Sequence, residues 1–305
     1  MADDERAVET ALQDPAMKSS NFRSRYLTSD ADKMAHNAWD DVEWDADMLA
    51  AAKAKVAADE VTLAPEEISA LDAEADSHWD AFYRANGSKF FKERHYLHLE
   101  FPFLVENEGD GKTLLEVGCG TGASVFPLAR AGPRLSVKCF DFAESAVALV
   151  RENPDYETHG GIDAFVWNIA KDPIPTDHLQ DNSVDYVLLI FVLSAIAPAD
   201  LAGVIDKLYR VVKPGGLVIL RDYGRYDLAQ LRFKQGRKLD DNFYVRGDST
   251  QVYFFTLEEM AAVFESAGFA VVKNAYDRRL IVNRKTKQTM YRVWLQSQFQ
   301  KPIDS

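Results

Sequence analysis

Cysteine is nearly missing from this chain: among 305 residues there are two, Cys119 and Cys139, and no CxxC pair. Both fall in or beside apolar strand-like runs, so neither a disulfide framework nor a zinc site is expected, no metal ligands are predicted, and a reducing, cytoplasmic setting fits. No run of 18 apolar residues occurs, which predicts no membrane span. The opening Met1-Ala2-Asp3-Asp4-Glu5 is acidic where a secretory or mitochondrial leader would be basic. Basic residues are also scarce early on. Residues 1–76 hold 7 Lys+Arg against 19 Asp+Glu and so carry −12 of the net charge of −13. The chain as a whole would repel a polyanion, yet residues 221–246, with seven basic and four acidic residues, would not. Internal repeats and low-complexity tracts are absent.

What is present is a strand running into a glycine turn: Leu114-Leu115-Glu116-Val117-Gly118-Cys119-Gly120-Thr121-Gly122. The short apolar run reads as a buried parallel strand. Glycines at alternate positions allow a tight turn and close approach of a ligand, with a helix predicted from about Gly122. A second strand, Leu135 to Phe140, ends in Asp141, which lies 21 residues beyond Gly120. An acid at that distance in a βαβ unit can accept hydrogen bonds from ribose hydroxyls. The G-x-G-x-x-G frame of a dinucleotide enzyme is lacking; here G-x-G-x-G follows Glu116, a carboxylate placed to bind an ammonium group or to order the turn. A ligand with one nucleoside and an amino-acid tail suits this pattern, which is the make-up of S-adenosylmethionine.

The chain divides, on composition and pattern, into an acidic tail over 1–20 expected to be disordered, a helical extension over 21–109, and an α/β domain over 110–305 with a basic insertion at 224–252. Further strands are predicted at Ala164–Trp167, Asp185–Phe191 and Leu217–Leu220, the last after the turn Lys213-Pro214-Gly215-Gly216. Helices are predicted over Pro198–Val212 and from Thr256, where Thr256 and Glu259 form a capping box. Phe269–Val272 and Met290–Leu295 read as a closing strand pair, giving seven strands with an antiparallel edge. In the extension, Trp79, Phe82 and Tyr83 share one helical face. That face suits packing on the core, and it also suits an aromatic lid, since π faces favour a cationic sulfonium.

The strand–KPGG–strand–helix course with its E-x-G-C-G-x-G turn resembles the class I, Rossmann-like methyltransferases over about residues 110–275. A narrower resemblance covers about residues 20–300. Leu189 to Ile196, Arg221-Asp222-Tyr223-Gly224-Arg225-Tyr226-Asp227, Asn242 to Thr250, Tyr253-Phe254-Phe255, Trp79-x-x-Phe82-Tyr83 and Phe90-Phe91-Lys92-x-Arg94 are similar to the tRNA 3-methylcytidine methyltransferases. His36-Asn37-Ala38-Trp39 to Glu43-Trp44 resembles the branch acting on threonine-type tRNAs. Two departures stand out: Asn168 where the family usually has Asp, and Ala197-Pro198 where it usually has His-Pro.

The resemblance implies a mostly parallel sheet with helices on both faces, an α-helical N-terminal extension, and a donor site lined by Trp79, Tyr83, Glu116, Gly118, Gly120, Asp141, Asn168, Ile169 and Ile190. The Asn168 oxygen would accept from the adenine amino group without charge assistance. It implies 3-methylcytidine formation at position 32 of the anticodon loop, with Asp222 and Ser194 positioning the base and Tyr223 beside them; an ion pair of Asp222 with Arg221 or Arg225 is the structural alternative. Phosphate contacts are expected from Arg23, Arg25, Arg232, Lys234, Arg237, Lys238 and Arg246, although a solvated basic loop would look the same. The implied partners are a tRNA anticodon stem-loop and an aminoacyl-tRNA synthetase or other tRNA-binding protein, with the chain itself a monomer. Methylation of a small molecule or protein leaves the 221–246 segment unexplained, and a non-catalytic scaffold leaves the intact glycine turn and Asp141 unexplained.

Residues 1–45 combine acidity with the basic-aromatic piece Arg23, Arg25 and Tyr26, and Trp39 and Trp44 are expected to dock that arm on the catalytic domain. Deleting residues 1–45 should weaken tRNA binding at least tenfold, about 1.4 kcal/mol, with donor binding unchanged, and deleting 1–18 should do neither. Tighter tRNA binding by the longer deletion, measured by filter binding, would make the arm an electrostatic brake.

Overall fold

In a computed structural model the described residues are 25–106 and 111–303, so the expected tail over 1–20, and Arg23 with it, lies outside them. Among the described residues there are eleven strands: β1 (Ala38–Asp40), β2 (Thr113–Val117), β3 (Ser136–Asp141), β4 (Ile162–Val166), β5 (Val184–Ile190), β6 (Val212–Tyr223), β7 (Lys238–Asp240), β8 (Phe243–Val245), β9 (Gln251–Tyr253), β10 (Ala270–Asn283) and β11 (Gln288–Gln300). The chain separates into two compact units, residues 1–43 with 278–291 and residues 44–277 with 292–305. The division between these units runs through the β10–β11 hairpin.

In the smaller unit, β1 pairs antiparallel with Arg279-Leu280-Ile281. Trp39 is buried against Leu280 and Val282, and its indole N–H donates to the Lys33 carbonyl at 2.9 Å. Trp39 thus docks the arm on the end of the hairpin, whereas Trp44 falls in the larger unit.

In the larger unit the strands run in the order β10-β11-β6-β5-β2-β3-β4, and β1, in the smaller unit, pairs with the part of β10 that belongs there and makes the eighth strand. Strands β2 to β6 are mutually parallel, and β11 runs antiparallel to β6, with Leu295 opposite Asp222. The α/β class holds, with eight strands in place of the expected seven. Successive strand residues face opposite sides, so Leu114 and Leu188 join one buried cluster while Leu115 and Leu189 join the other. Helices Val125–Ala131 and Glu144–Arg151 cover the first face; Leu201–Val211 and Leu257–Ser266 cover the second. Phe264 stacks on Phe299 at 3.9 Å.

Boundaries shift where tertiary pairing overrides local pattern. Lys213-Pro214-Gly215-Gly216 is not a turn between a helix and a strand; it runs within β6, because the Gly215 N–H donates to the Lys301 carbonyl and Val212 pairs with Val184. The helix after the first strand begins at Val125, three residues beyond Gly122. The capping box at Thr256 forms as expected, with Thr256 Oγ1 accepting from the Glu259 N–H and Glu259 from the Thr256 N–H. The insertion is not irregular: β7, β8 and β9 make a separate three-stranded sheet. Among the described residues no helix is long and apolar enough to cross a membrane.

The chain reverses direction across the sheet between β2 and β5: from β2 it proceeds to β3 and β4, then returns to β5 and β6. Ligands bind outside the carboxyl ends of strands at such a point, and the glycine turn follows β2 there. Gly122 has φ +83°, and a Cβ on it would meet Phe126 Cε2 at 2.4 Å. Phe126 is a fully buried core ring, so Gly122→Ala should lower stability by about 1–3 kcal/mol. Urea unfolding that shows no loss would mean the turn can move without disturbing the core.

Candidate active site

The turn is tied to the neighbouring strand by one carboxylate. Asp141, at the end of β3, accepts from the Gly120 N–H at 2.9 Å and from the Ala143 N–H at 3.0 Å, while the Cys119 N–H donates to the Phe140 carbonyl at 2.9 Å. Burial pushes the Asp141 carboxyl up to about 6, against three backbone N–H donors that favour its charged form. Gly118 and Gly120 both have positive φ; a Cβ on Gly118 would lie 2.8 Å from Val192 Cγ2, and one on Gly120 would lie 2.9 Å from the Tyr83 hydroxyl.

Gly118 and Asp141 border a cleft of about 910 Å3, including its open mouth, whereas Gly120, also predicted to line it, is tied back to Asp141 and stays out of its wall. Trp79, Tyr83, Gly118, Asp141, Asn168 and Ile169 line the cleft. Tyr83 is buried against Trp79, Phe82 and Phe91, so the aromatic face serves as core packing and cleft wall at once. Its helix is fastened to the helix after β3, with Asp80 accepting from the Ser145 N–H at 2.9 Å. Burial beside Asp141 drives the Tyr83 hydroxyl well above its usual value, keeping it neutral.

Other predicted residues take different places. Ile190 is absent from the cleft wall and packs in the core with Leu114 and Val137, because β5 turns its next residues, Phe191 and Val192, to the cleft. Glu116 is buried beneath the turn, 3.7 Å from Arg94 and bonded to Ser124. Burial raises its carboxyl to about 7 despite Arg94. Its Oε2 accepts no hydrogen bond, so ordering the turn uses one oxygen and leaves the other. The Asn168 oxygen already accepts from the Ala170 and Lys171 N–H groups, each at 3.2 Å. A carbonyl oxygen has two lone pairs, so the expected acceptor toward adenine is committed to the backbone.

Asp222 and Ser194 are both buried, and neither lines the cleft. Asp222 Oδ2 accepts from the Ser194 N–H at 3.0 Å and Oδ1 from the Tyr223 N–H at 2.8 Å; burial lifts this carboxyl to about 6. Neither arginine of the structural alternative pairs with it, since Arg221 pairs with Asp277 at 2.7 Å and Arg225 with Glu259 at 2.7 Å. Asp222 therefore braces the segment carrying Val192. Tyr223 is half-buried between the rings of Phe191, at 4.9 Å, and Phe254, at 5.7 Å.

The basic residues divide. Arg232, Lys234 and Arg237 are exposed or half-exposed, and Arg25 is exposed in the smaller unit. Lys238 pairs with Asp241 at 2.7 Å, and Arg246 lies over the Tyr223 ring at 5.7 Å. Sequence reasoning missed Phe191 as a wall, although φ +59° at a non-glycine marks it as strained, at a cost of about 1–3 kcal/mol. It also missed Gln251, which donates to Asp72 Oδ1 at 2.8 Å across 179 residues at the cleft wall. No local signal joins those two.

Fold and cleft define a class I methyltransferase domain. The buried Asp141 and the Gly118 position that a Cβ would crowd fit a donor with a ribose, whereas Glu116, predicted as a donor contact, lies beneath the turn and outside the cleft wall. A family model described as a methyltransferase domain matches residues 90–274. The tRNA N(3)-cytidine methyltransferase METTL2 of Danio rerio is 42% identical over 327 residues, covering 94% of this chain and 91% of that protein. The tRNA N(3)-methylcytidine methyltransferase trm140 of Schizosaccharomyces pombe is 41% identical, covering 93% and 92%. A Burkholderia thailandensis N1-methyltransferase solved with S-adenosylhomocysteine shares the fold, with TM-score 0.51 and 15% identity over 79% of this chain and 91% of that one. The chain belongs to the tRNA N(3)-cytidine methyltransferases.

An Asp141 carboxyl near 6 is ionised at pH 7.5 and protonated at pH 5. The affinity for S-adenosylhomocysteine should therefore fall about tenfold between those values, and Asp141→Asn should flatten the profile. Asp141→Ala should weaken binding by about 1.5–3 kcal/mol. Calorimetry showing an unchanged dissociation constant would remove Asp141 from the ribose.

Proposed function

We propose that this chain is an S-adenosylmethionine-dependent tRNA methyltransferase that forms 3-methylcytidine at position 32 of the anticodon loop of threonine-type tRNAs. The observation that carries the reading is the cleft at the β2/β5 reversal, with the buried Asp141 on one side and the Phe191 ring on the other. In this reading the enzyme is a cytoplasmic monomer, and a synthetase or other tRNA-binding protein is a further partner that the acidic N-terminal quarter would face.

The donor supplies an electrophilic methyl group on a sulfonium. Cytosine N3 has a lone pair at neutral pH, so no general base is required. The chain has to hold the base out of the loop, align N3 and exclude water. Trp79 and Tyr83 offer π faces to the cationic end of the donor. Phe191, backed by Tyr223 and by Trp294 at 5.9 Å, is the surface on which an extruded pyrimidine stacks. The same face stabilises the positive charge that develops on the base. Asp222 is a positioning residue: it sets Val192 and Ser194 and leaves the proton inventory unchanged.

Nucleoside mass spectrometry of individual purified tRNAs, after incubation with protein and donor, should show 3-methylcytidine; methyl transfer to any other atom would overturn the assignment. In Asp222→Asn one carboxylate oxygen becomes an N–H2 that opposes a backbone N–H. The single-turnover rate should fall at least tenfold, while S-adenosylhomocysteine binding stays within about twofold of wild type. A wild-type rate would show that the brace does not position the reacting groups.

A further inference from the structure

The strand that borders Asp141 leads into a short loop whose polar backbone is satisfied from within. Past β4 the Trp167 N–H donates to the Asp141 carbonyl at 3.1 Å, so Trp167, Asn168 and Ile169 continue the cleft wall beside that acid. The Asn168 N–H donates to Asp172 Oδ2 at 3.3 Å, and the Asn168 carbonyl accepts from the Lys171 and Asp172 N–H groups at 3.2 and 2.8 Å. From the helix Leu201–Val211, Lys207 Nζ donates to the Ile169 carbonyl at 2.6 Å and to the Asp172 carbonyl at 2.8 Å. The loop over 168–172 is thereby closed on itself and pinned to the domain.

The same loop fixes which end of the Asn168 amide is left for a ligand. Its Oδ1 accepts from the Ala170 and Lys171 N–H groups. An amide nitrogen in that place would set its own N–H bonds against two backbone donors, so the oxygen belongs to the loop. The amide nitrogen, Nδ2, makes no hydrogen bond among the described residues, and the side chain is half-buried at the cleft wall. A carboxylate at this position would cap the loop with one oxygen and keep the other as an acceptor. The amide keeps only donors.

The order of the strands says which part of the methyl donor this group meets. Strands β2, β3 and β4 are neighbours, and the glycine turn, Asp141 and Asn168 follow their ends in that order. A nucleoside with its ribose on Asp141 and its tail along the glycine turn puts its base beside Asn168. Adenine carries at that edge a 6-amino group, which donates, flanked by N1 and N7, which accept. An amide N–H2 set against the amino group leaves both donors without a partner, a loss comparable to a missing hydrogen bond. Set against a ring nitrogen, the same N–H2 makes one.

We propose that Asn168 reads the adenine of the methyl donor as a hydrogen-bond donor, through a ring nitrogen flanking the 6-amino group, and leaves that amino group unread. This specificity rests on the donor-cleft reading and is independent of which acceptor is methylated. The pocket then selects a purine by an accepting nitrogen and tolerates loss of the exocyclic amine. Lys207 is a positioning residue, since it fixes the carbonyls of the loop from which the amide projects.

The test is calorimetry on the full chain with S-adenosylhomocysteine and three analogues of it. One has hydrogen in place of the 6-amino group, one has CH in place of N1, and one has CH in place of N7. Wild type should bind the analogue without the amino group within about twofold of S-adenosylhomocysteine. It should lose about tenfold for one of the two CH analogues, and that one identifies the ring nitrogen. Asn168→Asp keeps the loop cap and replaces the N–H2 by an acceptor, so the pattern should reverse. The analogue without the amino group should then fall about tenfold below S-adenosylhomocysteine, and neither CH analogue should be penalised. A tenfold loss by wild type for the analogue without the amino group, equal binding of both CH analogues, or the wild-type pattern retained in Asn168→Asp would each overturn the assignment while the donor cleft stands. Wild-type protein that binds no S-adenosylhomocysteine at all would overturn the donor reading first, and this assignment with it.

Discussion

The hydrogen bond from the Gly120 N–H to Asp141 is the contact on which the donor side of this protein depends. Strands β2 and β3 are parallel neighbours, but their ladder ends at Val117 and Phe140, and past it the Cys119 N–H to the Phe140 carbonyl is a single backbone tie that leaves Gly120 to be held by a side chain. The carboxylate supplies that link, taking one N–H from the glycine turn and another from Ala143 at the start of the next helix. Through it the turn, the end of β3 and the helix Glu144–Arg151 become one rigid corner. Tyr83 packs on Ala143 and Ala146 of that corner, so this ring of the cleft wall is positioned by the same acid.

A second buried carboxylate does the corresponding work on the other wall. Asp222 at the end of β6 holds the backbone of Ser194 and Tyr223, and Val192 in turn abuts Gly118. Both aspartates are bonded to backbone N–H groups, unlike the buried Arg221, which has Asp277, Glu100 and Gln296 around it. Burial without an ion pair raises both carboxyls from 3.8 to about 6. A carboxyl raised in this way favours folding most fully below its unfolded value, and the benefit is lost as pH rises through 6. At neutral pH the two walls are therefore held by charged groups that the fold accommodates at some cost to stability, a pattern found at sites that need a fixed geometry.

Parts of the donor cleft differ in how they relate to the chain. The part at the glycine turn follows from a rule of parallel sheets: its acid and glycines lie within 24 residues of one another, Gly118 to Asp141. The part at Asp72 and Gln251 joins the helix Pro65–Ala73 of the extension to β9 of the insertion. Those segments are brought together where Leu63 and Lys238 bond across the 175 residues between them, with a bridge at Thr62.

What the sequence determined by itself was local and periodic. Apolar runs gave β2 and β3, glycine spacing gave the turn, the 21-residue interval gave Asp141, and Thr256 with Glu259 gave a capped helix. Each of these depends on residues within a few turns of one another, where covalent geometry limits the choices. Tertiary structure decided the rest. Whether Asp222 would touch a base or brace a loop depended on its burial near the end of β6, set by the antiparallel pairing of β11. Whether Ile190 or Phe191 would face the cleft depended on where β5 leaves the sheet. The Gln251–Asp72 bond arises from segments 179 residues apart. Burial and hydrogen-bond partners are properties of what packs around a residue, and no window along the chain contains them.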